Sequence, residues 1–308
     1  MANKDIPSSY SMFANVYSYM GLPLSRNIES ADVVVMGIPY DIGTTGRAGT
    51  RHGPQGVRLA SGNLRWEEKR WPWQFSAMDR LKVIDYGDLE FKPSESTSMI
   101  ETVIEHVGAV HAKGKKALCF GGDHFVTLPL LRAAHQYHGP VALVHFDAHT
   151  DTYTPDDDGA ENYDHGCMFY HAPKEGLIDP DHSIQVGIRT EYDTQSHLFE
   201  VVDAAAANDL SSAEVVAAIK QRVGSMPVYL TFDIDCLDPA YAPGTGTPVV
   251  GGITTDRALK IIRGLQGLNI VGADVVEVAP SYDHAEITAL AAATIGLEIL
   301  YVMASQID

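Results

Sequence analysis

A chain of 308 residues with a formal net charge of -18 would be repelled by nucleic acid and by anionic membranes, so neither is expected as a partner, whereas a small cation would be attracted. Its 45% hydrophobic and 20% charged residues are those of a folded globular protein long enough to build a full core, which excludes a disordered chain. Cys119, Cys167 and Cys236 are odd in number and lack C-x-x-C spacing, which excludes a disulfide framework and a zinc ribbon and favours a reducing cytoplasm.

The first residues, Met1 to Ser8, lack the apolar core of a signal peptide, so no export is expected. Residues 1–30 show no clear periodicity and read as an N-terminal arm available for assembly. Beyond them, apolar runs predict strands at 32–38, 81–85, 116–120, 141–146, 183–188, 199–202, 228–232 and 270–278. Between these, residues 99–112, 126–137, 213–223 and 257–265 carry apolar side chains at helical spacing. Such alternation, with no Gly/Ser-rich or Pro-rich linker, predicts one domain over residues 31–308. Its expected class is α/β, with a mostly parallel sheet of about eight strands covered on both faces. The longest apolar stretch, 287–304, contains Thr288, Thr294, Gly296 and Glu298 and reads as a packed terminal helix rather than a membrane span. Glycine-rich residues 43–49 and 244–248 match neither a dinucleotide nor a phosphate-loop fingerprint and read as tight loops at the sheet edge.

Chemistry concentrates where three of the strands end. Phe146-Asp147-Ala148-His149-Thr150-Asp151 and Phe232-Asp233-Ile234-Asp235-Cys236 each follow an apolar run. In an extended chain, side chains at i and i+2 share a face, so Asp147 would point with His149, and Asp233 with Asp235. A third run ends in Gly121-Gly122-Asp123-His124, where two glycines allow a sharp turn that brings His124 to the same edge. Asp151 lies past the strand end and can fold back. Unpaired buried carboxylates cost several kcal/mol each, so four of them in one place call for cations, and two divalent ions balance the charge. Oxygen-rich ligation by His124, Asp147, His149, Asp151, Asp233 and Asp235, with two imidazoles and no thiolate, favours manganese or magnesium over zinc. Asp123 reads as a supporting partner of His124, and His145 as a hydrogen-bonded core residue. His106, His111, His135 and His138 read as solvated, and Cys236 as a small buried residue.

These three segments closely resemble the signatures of the ureohydrolases, the arginase and agmatinase family. The resemblance continues through Leu237-Asp238-Pro239, Ala242-Pro243-Gly244-Thr245-Gly246-Thr247-Pro248 and Val276-Glu277-Val278-Ala279-Pro280. Gly46-Arg47-Ala48-Gly49, Arg51-His52-Gly53-Pro54 and Asp164-His165-Gly166-Cys167-Met168-Phe169-Tyr170 are similar to the agmatinase branch. The resemblance implies a three-layer α/β/α sandwich, assembled as a homo-oligomer, a trimer or hexamer, with two Mn2+ per subunit. One ion would be held by His124, Asp147, Asp151 and Asp233, and the other by Asp147, His149, Asp233 and Asp235, with Asp147 and Asp233 bridging.

It further implies that Glu277 binds the guanidinium and that His165, expected near its ordinary pKa, moves a proton as a small cationic guanidino substrate is hydrolysed to urea and an amine. Agmatine, giving putrescine, is the expected substrate. The loop from Thr154 to His165, with Asp156, Asp157, Asp158, Glu161 and Asp164 and no Lys or Arg, would attract a dication more than the carboxylate of arginine or 4-guanidinobutyrate. A two-metal phosphoesterase would need cationic groups that the three metal segments lack, and a metal-binding protein without turnover would not need both Glu277 and His165.

Overall fold

Strands buried on both faces do not alternate apolar with polar residues, and the strands here are dominated by Val, Ile, Leu and Phe with single polar residues among them. The computed structural model describes residues 17–66, 69–155 and 163–307. In chain order the elements are β1 (Val33–Gly37), α1 (Gly53–Ala60), α2 (Ala77–Arg80), β2 (Val83–Asp88), α3 (Ser96–Ala112), β3 (Lys116–Phe120), α4 (Thr127–His138) and β4 (Ala142–Phe146). They continue as α5 (Met168–Lys174), β5 (Ile184–Val186), β6 (Glu200–Val202), α6 (Ala204–Asp209), α7 (Ser212–Val223), β7 (Val228–Asp233), α8 (Thr255–Gly264), β8 (Ile270–Val276) and α9 (Ile287–Ala304).

Among the described residues the strands form one 8-stranded sheet in the order β2-β1-β3-β8-β7-β4-β5-β6, and every neighbouring pair is parallel. Parallel neighbours need crossover connections, which the helices supply. Val33, Val35, Phe120, Val144, Phe146 and Phe232 face one core with Val57 of α1, Ile219 of α7, Ile261 of α8 and most of α9. Val34, Met36, Cys119, Leu143 and Tyr229 face the other with Val103 of α3, Leu131 of α4 and Phe169 of α5. The expected strands and the sandwich of three layers are therefore present.

Two expectations need amendment. Of the arm, residues 1–16 lie outside the described residues. Tyr19 is fully buried, its hydroxyl donating to Ala293 O at 2.7 Å and its amide to Asp85 Oδ2 at 2.7 Å, so this part of the arm packs into the domain. His111 is not solvated: it is buried, and its Nδ1 lies 3.3 Å from His138 Nε2, because α3 packs closely on α4.

The apolar helix α9 is long enough to cross a bilayer, yet 89% of it is buried inside the protein. At its centre the fully buried Glu298 accepts from Arg70 Nε at 2.9 Å, Arg263 Nη2 at 2.6 Å and Trp73 Nε1 at 2.6 Å. This ties α9 to α8 and to the segment after α1. Removing one partner of a buried ion pair leaves the others uncompensated, at a cost of about 3–5 kcal/mol. Glu298→Leu is expected to destabilise by about 3 kcal/mol, the lower end because both arginines keep some solvent contact. A denaturant midpoint unchanged from wild type, at equal m-value, would refute this.

Candidate metal centre

The four central strands, β3, β8, β7 and β4, end side by side, and each delivers a functional segment from its C-terminal end, where ligands bind in open parallel sheets. After β3 the chain must turn at once. A Cβ built on Gly122 would lie 1.6 Å from the Tyr40 carbonyl oxygen, so no other residue fits there. The Gly122 carbonyl then accepts the Glu277 amide at 2.9 Å, locking the β3 and β8 ends together.

Strand parity is not what brings the acidic pairs together, contrary to the sequence expectation. β4 stops at Phe146, and the His149 amide donates to Asp147 Oδ1 at 2.6 Å. β7 stops at Asp233, a 3-10 turn covers Ile234–Cys236, and the Asp235 amide donates to Asp233 Oδ1 at 2.8 Å. In both segments an aspartate side chain caps the amide two residues on, which curls the chain and swings residue i+2 back. Asp151 and Glu277 lie in the left-handed region, at φ 52° and 63°, a conformation few non-glycine residues adopt and one that clusters at functional sites.

The result is two adjoining cages. His124 Nδ1 lies 2.9 Å from Asp151 Oδ2, 3.0 Å from Asp147 Oδ2 and 3.3 Å from Asp233 Oδ2. His149 Nδ1 lies 3.2 Å from Asp235 Oδ2 and 3.3 Å from Asp147 Oδ1. Octahedral ions with bonds of about 2.1 Å place neighbouring donors about 3 Å apart, so these separations suit ligands of a common ion. Asp147 sends one oxygen to each cage. Asp233 offers Oδ2 to the first, while its Oδ1 holds the Asp235 amide.

The buried His124 Nδ1 has no hydrogen-bond partner, and among the described residues no Lys or Arg side chain pairs with the four carboxylates. Burial and the charge of Asp147 push Asp151 up to about 7. Burial, with Asp235 and Asp147 beside it, also raises Asp233 well above the ordinary range. The donor set fits hard divalent cations, which would relieve this repulsion.

What orients His124 is not Asp123, whose buried carboxylate has no hydrogen-bond partner. His124 Nε2 instead meets Thr231 Oγ1 at 2.8 Å, and Thr231 Oγ1 donates to Asp274 Oδ1 at 2.5 Å. Asp274 is further fixed by Tyr229 and Thr127. With its proton committed to Asp274, the threonine hydroxyl accepts from Nε2–H and leaves Nδ1 as a bare lone pair facing the cage. The available signal was a carboxylate within Ile270–Val276, a strand buried at every position.

Beside the cages, Glu277 Oε1 accepts from the His124 amide at 2.9 Å and meets His165 Nδ1 at 2.7 Å. Its Oε2 is buried without a partner. A Cβ at Gly246 would come within 3.4 Å of that oxygen, so glycine keeps the space before it clear. Thr45 presents its amide at 3.0 Å and its hydroxyl at 2.7 Å to His165 Nε2, so the loop of residues 43–49 is part of the site. Thr247, in the second glycine-rich loop, donates to Asp235 Oδ2 at 3.2 Å. His165 departs from its expected ordinary pKa. Burial disfavours its charged form, but the Glu277 carboxylate prevails and pushes it up to about 9. All eight expected site residues thus meet at one edge of the sheet. Asp156, Asp157, Asp158 and Glu161 lie outside the described residues, and Asp164 uses Oδ1 to accept the Gly166 amide at 2.8 Å.

The arginase family profile matches residues 31–301. The chain is 58% identical over 301 residues to the agmatinase of Serratia proteamaculans, covering 97% of both chains. It is 57% identical over 298 residues to that of Edwardsiella ictaluri, covering 96% of both. Among solved structures it is similar to a hypothetical agmatinase from Burkholderia thailandensis, with TM-score 0.92, 47% identity and coverage of 96% and 93% of the two chains. It is also similar to the proclavaminate amidino hydrolase of Streptomyces clavuligerus, with TM-score 0.90, 39% identity and coverage of 96% and 99%.

Groups that orient a metal-binding histidine are worth about tenfold to hundredfold in metal affinity. Thr231→Val, nearly isosteric, is expected to lose that factor in a divalent-cation titration of stripped protein, and Thr231→Ser to keep most of the affinity. Equal affinities in both variants and wild type would remove the relay from the site.

Proposed function

The chain belongs to the arginase family and is a ureohydrolase, and we propose that it hydrolyses agmatine to putrescine and urea with two Mn2+ per subunit. The observation that carries the substrate reading is the 58% identity, across 97% of both chains, to a protein named agmatinase. The catalytic domain is taken as residues 31–308, acting in the cytoplasm as part of a trimer or hexamer. The similarity to an amidino hydrolase named for another substrate keeps carboxylate-bearing guanidino compounds as the second reading.

His124, Asp147, Asp151 and Asp233 would hold one cation, and Asp147, His149, Asp233 and Asp235 the other. When bound, such a pair supplies a strong nucleophile at neutral pH by lowering the pKa of water. The remaining work falls to the protein. A guanidinium is a weak electrophile because its charge is delocalised, so it must be held in one orientation for attack. Glu277 supports this: Oε1 is committed to His165 and the His124 amide, and Oε2 remains as a charged acceptor for guanidinium N–H groups. The amine must leave protonated. His165, whose Nδ1 is held by Glu277, can hand a proton to the departing nitrogen once its Nε2, which here accepts from the Thr45 amide, is released from that contact.

Agmatine carries a second positive charge where arginine also carries a carboxylate, and the net charge of -18 favours the dication. We expect kcat/KM for agmatine to exceed that for arginine or 4-guanidinobutyrate at least about tenfold, about 1.4 kcal/mol of transition-state stabilisation. Equal or faster urea release from either carboxylate would move the assignment to that substrate.

His165→Ala is expected to keep both metal ions and lose about 10² to 10⁴ in kcat, the range for a positioned acid or base. Because its pKa is raised to about 9, His165 is protonated at neutral pH and loses its proton as the pH rises, so wild-type kcat should fall on the alkaline side. That limb should be absent from the variant. A metal-free His165→Ala enzyme, or one with the same alkaline limb, would end this assignment.

A further inference from the structure

A second polar chain reaches the cages through the sheet itself. His145, fully buried in β4, places Nε2 2.7 Å from Asp147 Oδ2. Its neighbour in register on β5 is Gln185, also fully buried, whose Nε2 lies 2.9 Å from His145 Nδ1. The same amide nitrogen donates to Thr150 O at 2.7 Å, and Gln185 Oε1 accepts from His197 Nε2 at 2.7 Å. A carbonyl on one side and an imidazole N–H on the other fix which way the amide points. With an amide N–H aimed at Nδ1, that nitrogen must be the acceptor, so the proton of His145 sits on Nε2 and faces Asp147. His197 is half-buried, on the wall of a surface cavity of about 830 Å³ that Thr150 and Tyr192 also line.

Each oxygen of Asp147 has two lone-pair directions. Oδ1 spends one on the His149 amide, and Oδ2 spends one on His145 Nε2. One direction per oxygen is left, toward His149 Nδ1 for Oδ1 and toward His124 Nδ1 for Oδ2. Without the His145 donor, only the Oδ1 side of the carboxylate would be held, and the group could rotate out of the shared position.

We infer that His145, Gln185 and His197 are positioning residues that hold Asp147 across the two cages and so set metal affinity at both. The inference rests on reading the cluster as a two-cation site. No proton need move along the chain; its role is to fix one tautomer and one carboxylate orientation.

The test is a Mn2+ titration of the stripped full-length protein, with bound ions counted by elemental analysis and paired ions followed by the exchange-coupled signal in electron paramagnetic resonance. Gln185→Leu and His145→Phe should each weaken binding by about tenfold to hundredfold and diminish the paired-ion signal. His145→Gln, which can place an N–H near the former Nε2, should recover part of the affinity. Two ions bound as tightly by Gln185→Leu and His145→Phe as by wild type would overturn the inference while leaving the metal centre standing. If wild type itself binds no Mn2+, the two-cation reading fails and this inference falls with it. Should the two buried variants not fold, His197→Phe at the cavity wall decides: weaker binding in the same direction supports the chain, and unchanged binding overturns it.

Discussion

Four carboxylates held within a few ångströms of one another in a buried setting repel each other and lose the water that would screen them. Asp147, Asp151, Asp233 and Asp235 are in that position, and much of the surrounding architecture can be understood as holding them there. The parallel sheet supplies rigidity, because its central strands are packed on both faces and cannot splay to relieve the repulsion. The aspartate-capped turns after β4 and β7 supply the close approach. Left-handed backbone at Asp151 and Glu277 indicates where the chain accepts a disfavoured conformation to finish the site.

The eight strands were legible because their short segments are mostly apolar, α3, α4, α7 and α8 because their apolar residues recur at helical spacing, and α9 because it is the longest apolar stretch. The short helices α1, α2, α5 and α6 were not. Each is eight residues or fewer, too short for a period to register, and α5 contains Pro173. The candidate ligands themselves could be named from charge at strand ends, but the reason they converge could not, since a turn capped by its own aspartate looks in sequence like a continuing strand. The supports of the site were hidden more deeply. Thr231 and Asp274 are neighbours across the β7–β8 register, and His145 and Gln185 across β4–β5, relations that local sequence does not encode.

Taken together, these residues form a single row. Gln185, His145, Thr231 and Asp274 occupy one level of the sheet across four adjacent strands, β5, β4, β7 and β8, just below the level at which the candidate ligands emerge. Polar groups in a sheet interior are costly unless bonded, and here each is bonded within the row or to the layer above. The site thus stands on an ordered polar floor rather than directly on the hydrocarbon core. Of the candidate ligands, His124 and Asp147 are the two that this floor touches.

The position of β8 carries a consequence for the order in which the protein is made. It is the last strand of the described sheet to be synthesised, yet it lies at the centre, between β3 and β7. A chain stopped short of Ile270 would hold β2-β1-β3 and β7-β4-β5-β6 as two half-sheets, each with a bare apolar edge of the kind that pairs with other chains. Emergence of β8 joins the halves, brings Asp274 under His124 and sets Glu277 beside His165, so the sheet and the site are completed in one late step.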